Sequence, residues 1–150
     1  MTKRDIYNCF ISSPGDCQEE RLICEKVISE LNNGLASQMN INFETITWEK
    51  DILPDMAIDT DGQEIIDKYV ESSNYDIFIG IMKYRYGRPT KKAGSGTEHE
   101  FNNAIERKSN ENNIPQILFF FGNEKISPNE LDLEQFSKVK EFKEKCSSKG

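Results

Sequence analysis

Short apolar runs alternate with amphipathic stretches along the whole chain. Residues 6–12 hold Ile6, Tyr7, Cys9, Phe10 and Ile11, a β-rich run that stops at the turn sequence Ser12-Ser13-Pro14-Gly15-Asp16. A helix is predicted next, capped by Asp16 with Glu19 three positions on, and with Val27, Ile28, Leu31 and Leu35 at helical spacing. Asn32, Asn33 and Gly34 weaken its last turn. Residues 41–48 alternate as a second strand, nearer an edge because one face is mixed. An acidic loop over 49–61 contains Pro54, and residues 63–72 supply Ile65, Ile66, Tyr69 and Val70 for a second helix.

The run at 75–81 is the clearest strand. Asp76 interrupts it, but Ile77, Phe78, Ile79 and Ile81 form the near-continuous apolar segment of a strand covered on both faces. A loop over 83–96 carries Arg85, Arg88 and Pro89, and a helix over 98–109 turns Phe101, Ala104 and Ile105 inward. Residues 115–121 read as a fourth strand, opening at Pro115 where a missing N–H is tolerated. A last helix over 129–146 carries Leu131, Leu133, Phe136, Val139 and Phe142. Strands alternating with helices in this way predict an α/β fold: a parallel sheet with right-handed crossovers and helices on both faces. With no repeat and no linker, residues 1–150 are one domain. Ser147-Ser148-Lys149-Gly150 resembles a turn before a fifth strand, so the chain is expected to be the N-terminal part of a longer protein.

Composition narrows the possible partners. Of 150 residues, 36% are apolar and 30% charged, and the apolar ones come in blocks, so the chain is polar without being disordered. Asp and Glu outnumber Lys and Arg by 26 to 19, for a net charge of −7, and no basic block is present; a direct nucleic-acid partner is not expected. No apolar run approaches a membrane span, and the start has no processing signal, which together point to the cytoplasm and to no membrane partner. Cys9, Cys17, Cys24 and Cys146 form no C-x-x-C pair and His99 is the sole histidine, so no metal site is expected and the thiols are read as free.

In an open α/β sheet a ligand sits beyond the carboxyl ends of the strands. Ser12 and Ser13 can offer hydroxyls there to a phosphate or ribose, while Asp16 can equally serve only to cap the helix. The segment is neither a P-loop nor a dinucleotide fingerprint. Trp48 can stack on a ring, or simply cover the core's edge, and Glu49 can accept from a hydroxyl. Arg85 and Arg88 are the phosphate candidates. Glu100 falls one turn into a helix, on the same face as Ala104, where a carboxylate can orient ribose hydroxyls and stabilise an oxocarbenium ion. A rival reading makes Thr97 the helix cap and Glu100 its capping-box partner, reaching back to the Thr97 N–H. His99 is read as a surface or supporting residue.

The ordered set Ser12-Ser13-Pro14-Gly15-Asp16, Glu20-Arg21, Trp48-Glu49, Asp76-Ile77-Phe78-Ile79-Gly80, Arg85-Tyr86-Gly87-Arg88-Pro89-Thr90 and Ser95-Gly96-Thr97-Glu98-His99-Glu100-Phe101 resembles bacterial Toll/interleukin-1-receptor-like (TIR-like) domains. These often stand at the N-terminus of signal-transducing ATPases and antiphage defence proteins. The resemblance covers about residues 5–150. It implies a flavodoxin-like three-layer fold with a central parallel sheet, four of whose strands are visible and a fifth possible beyond them. It also implies an NAD+ glycohydrolase that cleaves the nicotinamide–ribose bond, with NAD as substrate and no separate cofactor.

Glu100-Phe101-Asn102-Asn103-Ala104 matches the family's Glu-to-Ala element, so Glu100 inherits the catalytic role. Ser12 and Ser13 match a substrate-touching loop, and residues 49–60 match a loop that often mediates self-association. Tyr86 or Trp48 is a candidate for the aromatic neighbour, because the usual Ser-x-x-Trp is replaced by Ser95-Gly96-Thr97-Glu98. Gating by oligomerisation, with a fused or separate sensor or ATPase partner, completes the expectation. Two other classes fit the residues: a non-catalytic TIR-like interaction module, and a nucleoside 2-deoxyribosyltransferase-like enzyme with a carboxylate nucleophile.

Overall fold

A computed structural model of the chain describes residues 3–46, 75–87, 95–110 and 113–148. Strand β1 (Asp5–Ser12) leads through a 3-10 turn (Gly15–Cys17) into helix α1 (Gln18–Asn33), the short helix α2 (Leu35–Gln38) and strand β2 (Ile41–Ile46). After these come β3 (Ile77–Met82), α3 (Gly96–Asn110), β4 (Gln116–Phe121) and α4 (Leu133–Ser148). All strand pairs are parallel, and the four strands lie in the order β2-β1-β3-β4. This is the flavodoxin-like α/β arrangement. The second helix expected over 63–72 lies outside the described residues.

The pleat divides the core cleanly. Cys9 and Ile11 of β1 and Ile79 and Ile81 of β3 point to one face, where Cys17 and Ile28 cover them. Phe10, Phe78 and Met82 point to the other, against Phe101 and Ala104 of α3 and Val139 and Phe142 of α4. Register places Ser12 beside Gly80, and Gly80 beside Phe119, in one row across the sheet. A Cβ at Gly80 would overlap the Phe119 ring, so glycine there lets the ring cross β3. Gly80→Ala is therefore expected to destabilise the domain by roughly 1–3 kcal/mol, read as a lower urea midpoint at unchanged slope.

Three details differ from the sequence reading. Helix α1 does not bury the row Val27, Leu31, Leu35; these are exposed, and its inward row is Cys17, Arg21, Cys24, Ile28, Asn32. Polar residues on that row mask the pattern, and Asn32 has a structural use. Its side chain donates to the Phe43 carbonyl and accepts from the Phe43 N–H, each at 2.8 Å, occupying the free edge of β2 as another strand would. In α4, Leu133 is exposed and Asp132 caps the helix by accepting from the Gln135 N–H at 3.1 Å. Asp76 precedes β3 instead of sitting inside it: its carboxylate accepts from the Asn8 N–H at 2.8 Å, tying β1 to β3 at the end away from the rim.

Candidate functional site

The chain order places the switch point between β1 and β3. From β1 the first crossover runs outward to β2, whereas the later connections run the opposite way. Ser12 ends β1 there, and only 2% of its surface is exposed. By the pleat it faces the α3 side, where its hydroxyl donates to a carboxylate oxygen of Glu100. The structure thus brings together two of the residues singled out in the sequence, from elements 88 positions apart.

Glu100 lies one turn inside its helix, past the cap. The cap of α3 is Ser95, whose Oγ accepts from the Glu98 N–H at 3.1 Å while its carbonyl accepts from the His99 N–H at 3.0 Å. The expectation that Thr97 and Glu100 form a capping box is therefore corrected: the helix starts earlier, at Gly96. Ser95-Gly96-Thr97-Glu98 matches the same pattern two residues upstream. Of the two readings of His99, the surface one is corrected: it is buried, as are Thr97, Phe101 and Ala104.

Around this pair the other candidates separate. Ser13 Oγ is buried and has no hydrogen-bond partner among the described residues. Asp16 is not a helix cap, since the cap position of α1 is Cys17 and carries no side-chain bond. Instead the Asp16 carboxylate accepts from the Tyr84 N–H at 3.4 Å, tying the first turn to the exit of β3. Arg85 is exposed on the loop beyond β3. Tyr86 is 7% exposed and packs edge-on against Phe142, so its ring belongs to the core and presents no open stacking face. Burial, and next the Glu98 carboxylate that accepts its hydroxyl, push the Tyr86 phenol well above its usual range. Trp48, Glu49 and Arg88, and the loop over 49–60, lie outside the described residues.

Supporting groups hold the rim. Gln135 of α4 accepts from the N–H groups of Tyr86 and Gly87 at 2.9 and 3.0 Å, and Gly87 has a φ of 105° that suits glycine. Sequence reasoning missed Gln135, which acts on residues that only the tertiary fold brings to it, and passed over Ser95, whose capping pattern overlaps that of Thr97. Lys83, just past β3, pairs with Glu20 of α1 at 2.7 Å. Burial raises the Glu20 carboxyl, but the Lys83 ammonium outweighs it and the net shift is downward; the same pair raises Lys83.

A carboxyl depressed by folding stabilises the native state above its unfolded pKa, near 4.3, and that contribution fades as pH falls through the folded value. The stability gap between wild type and Lys83→Met, from urea midpoints, is expected to be open at pH 7 and to shrink progressively below about pH 5. Cys9 and Cys17 are poor nucleophiles. Burial pushes Cys9 up to about 11 and Cys17 up to about 12.

A parallel sheet in this order defines a flavodoxin-like α/β domain, and a hydroxyl and a carboxylate are joined at its switch point between β1 and β3. The chain belongs to a domain family of unknown function, DUF4062, whose model matches residues 8–150. No curated protein and no solved structure matches it. Among the described residues, no helix is long and apolar enough to cross a membrane, and no group of His, Cys, Asp and Glu is placed to hold a metal ion.

Proposed function

We propose that this domain is a TIR-like NAD+ glycohydrolase acting through Glu100, in the cytoplasm and within a defence or signalling protein. One observation carries the reading: the Ser12 hydroxyl at the end of β1 donates to the Glu100 carboxylate at the switch point, one turn inside a helix that Ser95 caps. The Ser13 hydroxyl, one residue further along the chain, is buried without a hydrogen-bond partner among the described residues, and a polar ligand such as a ribose or phosphate would satisfy it.

Cleavage of the nicotinamide–ribose bond sends its electron pair to the pyridinium nitrogen, which is thereby neutralised. Positive charge develops on the ribose. Glu100 stabilises that charge and orients the ribose hydroxyls, while Ser12 fixes the carboxylate's direction. Water then adds to the ribose carbon and loses a proton, giving ADP-ribose and nicotinamide. Arg85, exposed on the loop beyond β3, enters as the phosphate partner on the strength of its charge. Trp48, Glu49, Arg88 and the loop over 49–60 enter as stacking, polar and assembly elements on the strength of the resemblance. Self-association, driven by a fused or separate sensor, sets when the domain acts.

The test is nicotinamide release from NAD, followed by chromatography, with intact-mass analysis of the protein in parallel. Nicotinamide without a protein adduct is the expected result. A lasting glycosyl adduct on the protein, formed from a free nucleoside, would instead assign the carboxylate a nucleophilic role.

A further inference from the structure

Both arms of the Ser12–Glu100 pair touch the loop that leaves β3. On the first arm, the Tyr84 N–H donates to the Asp16 carboxylate at 3.4 Å, in the turn that follows Ser12 and Ser13. Three residues on, Gly87 meets both arms at once. A methyl group there would stand 3.9 Å from the Cβ of Pro14 and 3.3 Å from the Cβ of Ser95. Pro14 directly follows Ser13, and Ser95 caps the helix that carries Glu100. Gly87 is therefore a spacer between the two, and its position bears on how far the carboxylate stands from the end of β1.

This spacer is held from a third element. Tyr86 and Gly87 belong to no helix or strand, so their N–H groups need an acceptor elsewhere. Both converge on the side-chain oxygen of Gln135, at 2.9 and 3.0 Å. Gln135 is itself fixed. Its own N–H donates to the Asp132 carboxylate that caps α4, and Val139 and Phe142 anchor that helix in the core. Phe142 also receives the Tyr86 ring, at a centroid distance of 5.9 Å. The same helix thus grips the loop by ring and by backbone, and what Gln135 Oε1 touches is backbone, so its part is in placing other groups.

We propose that Gln135 is the positioning residue of this site: it clamps the Tyr86 and Gly87 N–H groups and, through Gly87 set between Pro14 and Ser95, fixes the spacing of Ser12 and Glu100. For catalysis this rests on the glycohydrolase reading, but the clamp and the spacing do not.

The test compares wild type with Gln135→Met, which removes the acceptor at similar length, and Gln135→Glu, which restores an oxygen. Amide hydrogen exchange reads the clamp. In Gln135→Met the Tyr86 and Gly87 amides are expected to exchange about 10-fold faster, with those of Ile79 and Ile81 unchanged, and Gln135→Glu to slow them again. Unchanged exchange at Tyr86 and Gly87 overturns the clamp. The carboxyl carbon resonance of Glu100 reads the spacing. It is expected to shift in Gln135→Met and to return in Gln135→Glu; a resonance that stays in place overturns the positioning role. Gln135→Asn, which draws the oxygen back by one methylene, repeats both comparisons without adding an apolar group, so neither depends on one variant folding.

Nicotinamide release reads the consequence for catalysis. Gln135→Met is expected to lower kcat by about 10-fold or more with little change in KM, well below its melting transition, and Gln135→Glu to recover a substantial part. A folded Gln135→Met with the wild-type kcat would overturn the catalytic consequence. Absence of release in wild type would instead remove the glycohydrolase reading, with exchange and the Glu100 resonance still deciding the clamp and the spacing.

Discussion

Glu100→Gln is expected to lower nicotinamide release by at least about 100-fold, the scale seen when one preorganised electrostatic contact to a transition state is removed. The substitution is nearly isosteric. Its amide oxygen can still accept from the Ser12 hydroxyl, so the rim keeps its shape and the helix, capped by Ser95, keeps its start. What disappears is the negative charge facing the developing ribose cation. KM should change little if ground-state binding rests mainly on the serines and the exposed arginine, and the loss should fall on kcat. The circular dichroism spectrum and melting temperature should stay close to wild type. A variant that keeps wild-type activity while folding normally would leave Glu100 with no part in the chemistry.

Phe101→Ala is expected to be the most damaging single change to stability. Phe101 is 3% exposed, one residue from Glu100, and its ring meets those of Phe78, Phe119 and Phe142 at centroid distances of 6.3, 5.6 and 5.2 Å. It therefore joins α3 to β3, β4 and α4 at once. Truncation removes the transfer free energy of a large apolar group and leaves a cavity that three rigid rings cannot fill, for a cost of about 3–5 kcal/mol. In a domain of this size that corresponds to a melting temperature lower by roughly 10 °C. Because α3 carries Glu100, activity should fall with the loss of packing even below the melting transition. A drop of less than about 1 kcal/mol would mean that the cluster repacks and that α3 is not anchored as described.

The fold was largely legible because its strongest signals are local. Ile77-Phe78-Ile79-Gly80-Ile81 and Asn8-Cys9-Phe10-Ile11 each have apolar residues on both faces, which a strand flanked by two layers requires. The alternating helices then leave little freedom in topology.

Helix α1 was legible as a helix but not in its orientation. Its apolar stripe is exposed, and its inward row contains an arginine and an asparagine, the latter bonded to Phe43 of β2. The site was legible in its residues and not in its connections. Ser12 and Glu100 can each be picked out, but Ser95-Gly96-Thr97-Glu98 and Thr97-Glu98-His99-Glu100 satisfy the same capping pattern. Sequence cannot choose between two overlapping caps. The structure makes the choice, with the Glu98 N–H on Ser95 Oγ. Tyr86 shows the same limit from the other side: an aromatic beside arginines suggests stacking on a ligand, yet the ring fills the core and its hydroxyl binds Glu98.

The measurement that bears most directly on the central claim is nicotinamide release from NAD by the wild-type protein and by Glu100→Gln, side by side, over protein concentrations from below micromolar to several hundred micromolar. The account predicts release by the wild type that rises faster than linearly with protein concentration, and essentially none from the variant at any concentration. Release that persists undiminished in Glu100→Gln, or a wild type that leaves NAD intact throughout the range, would contradict it.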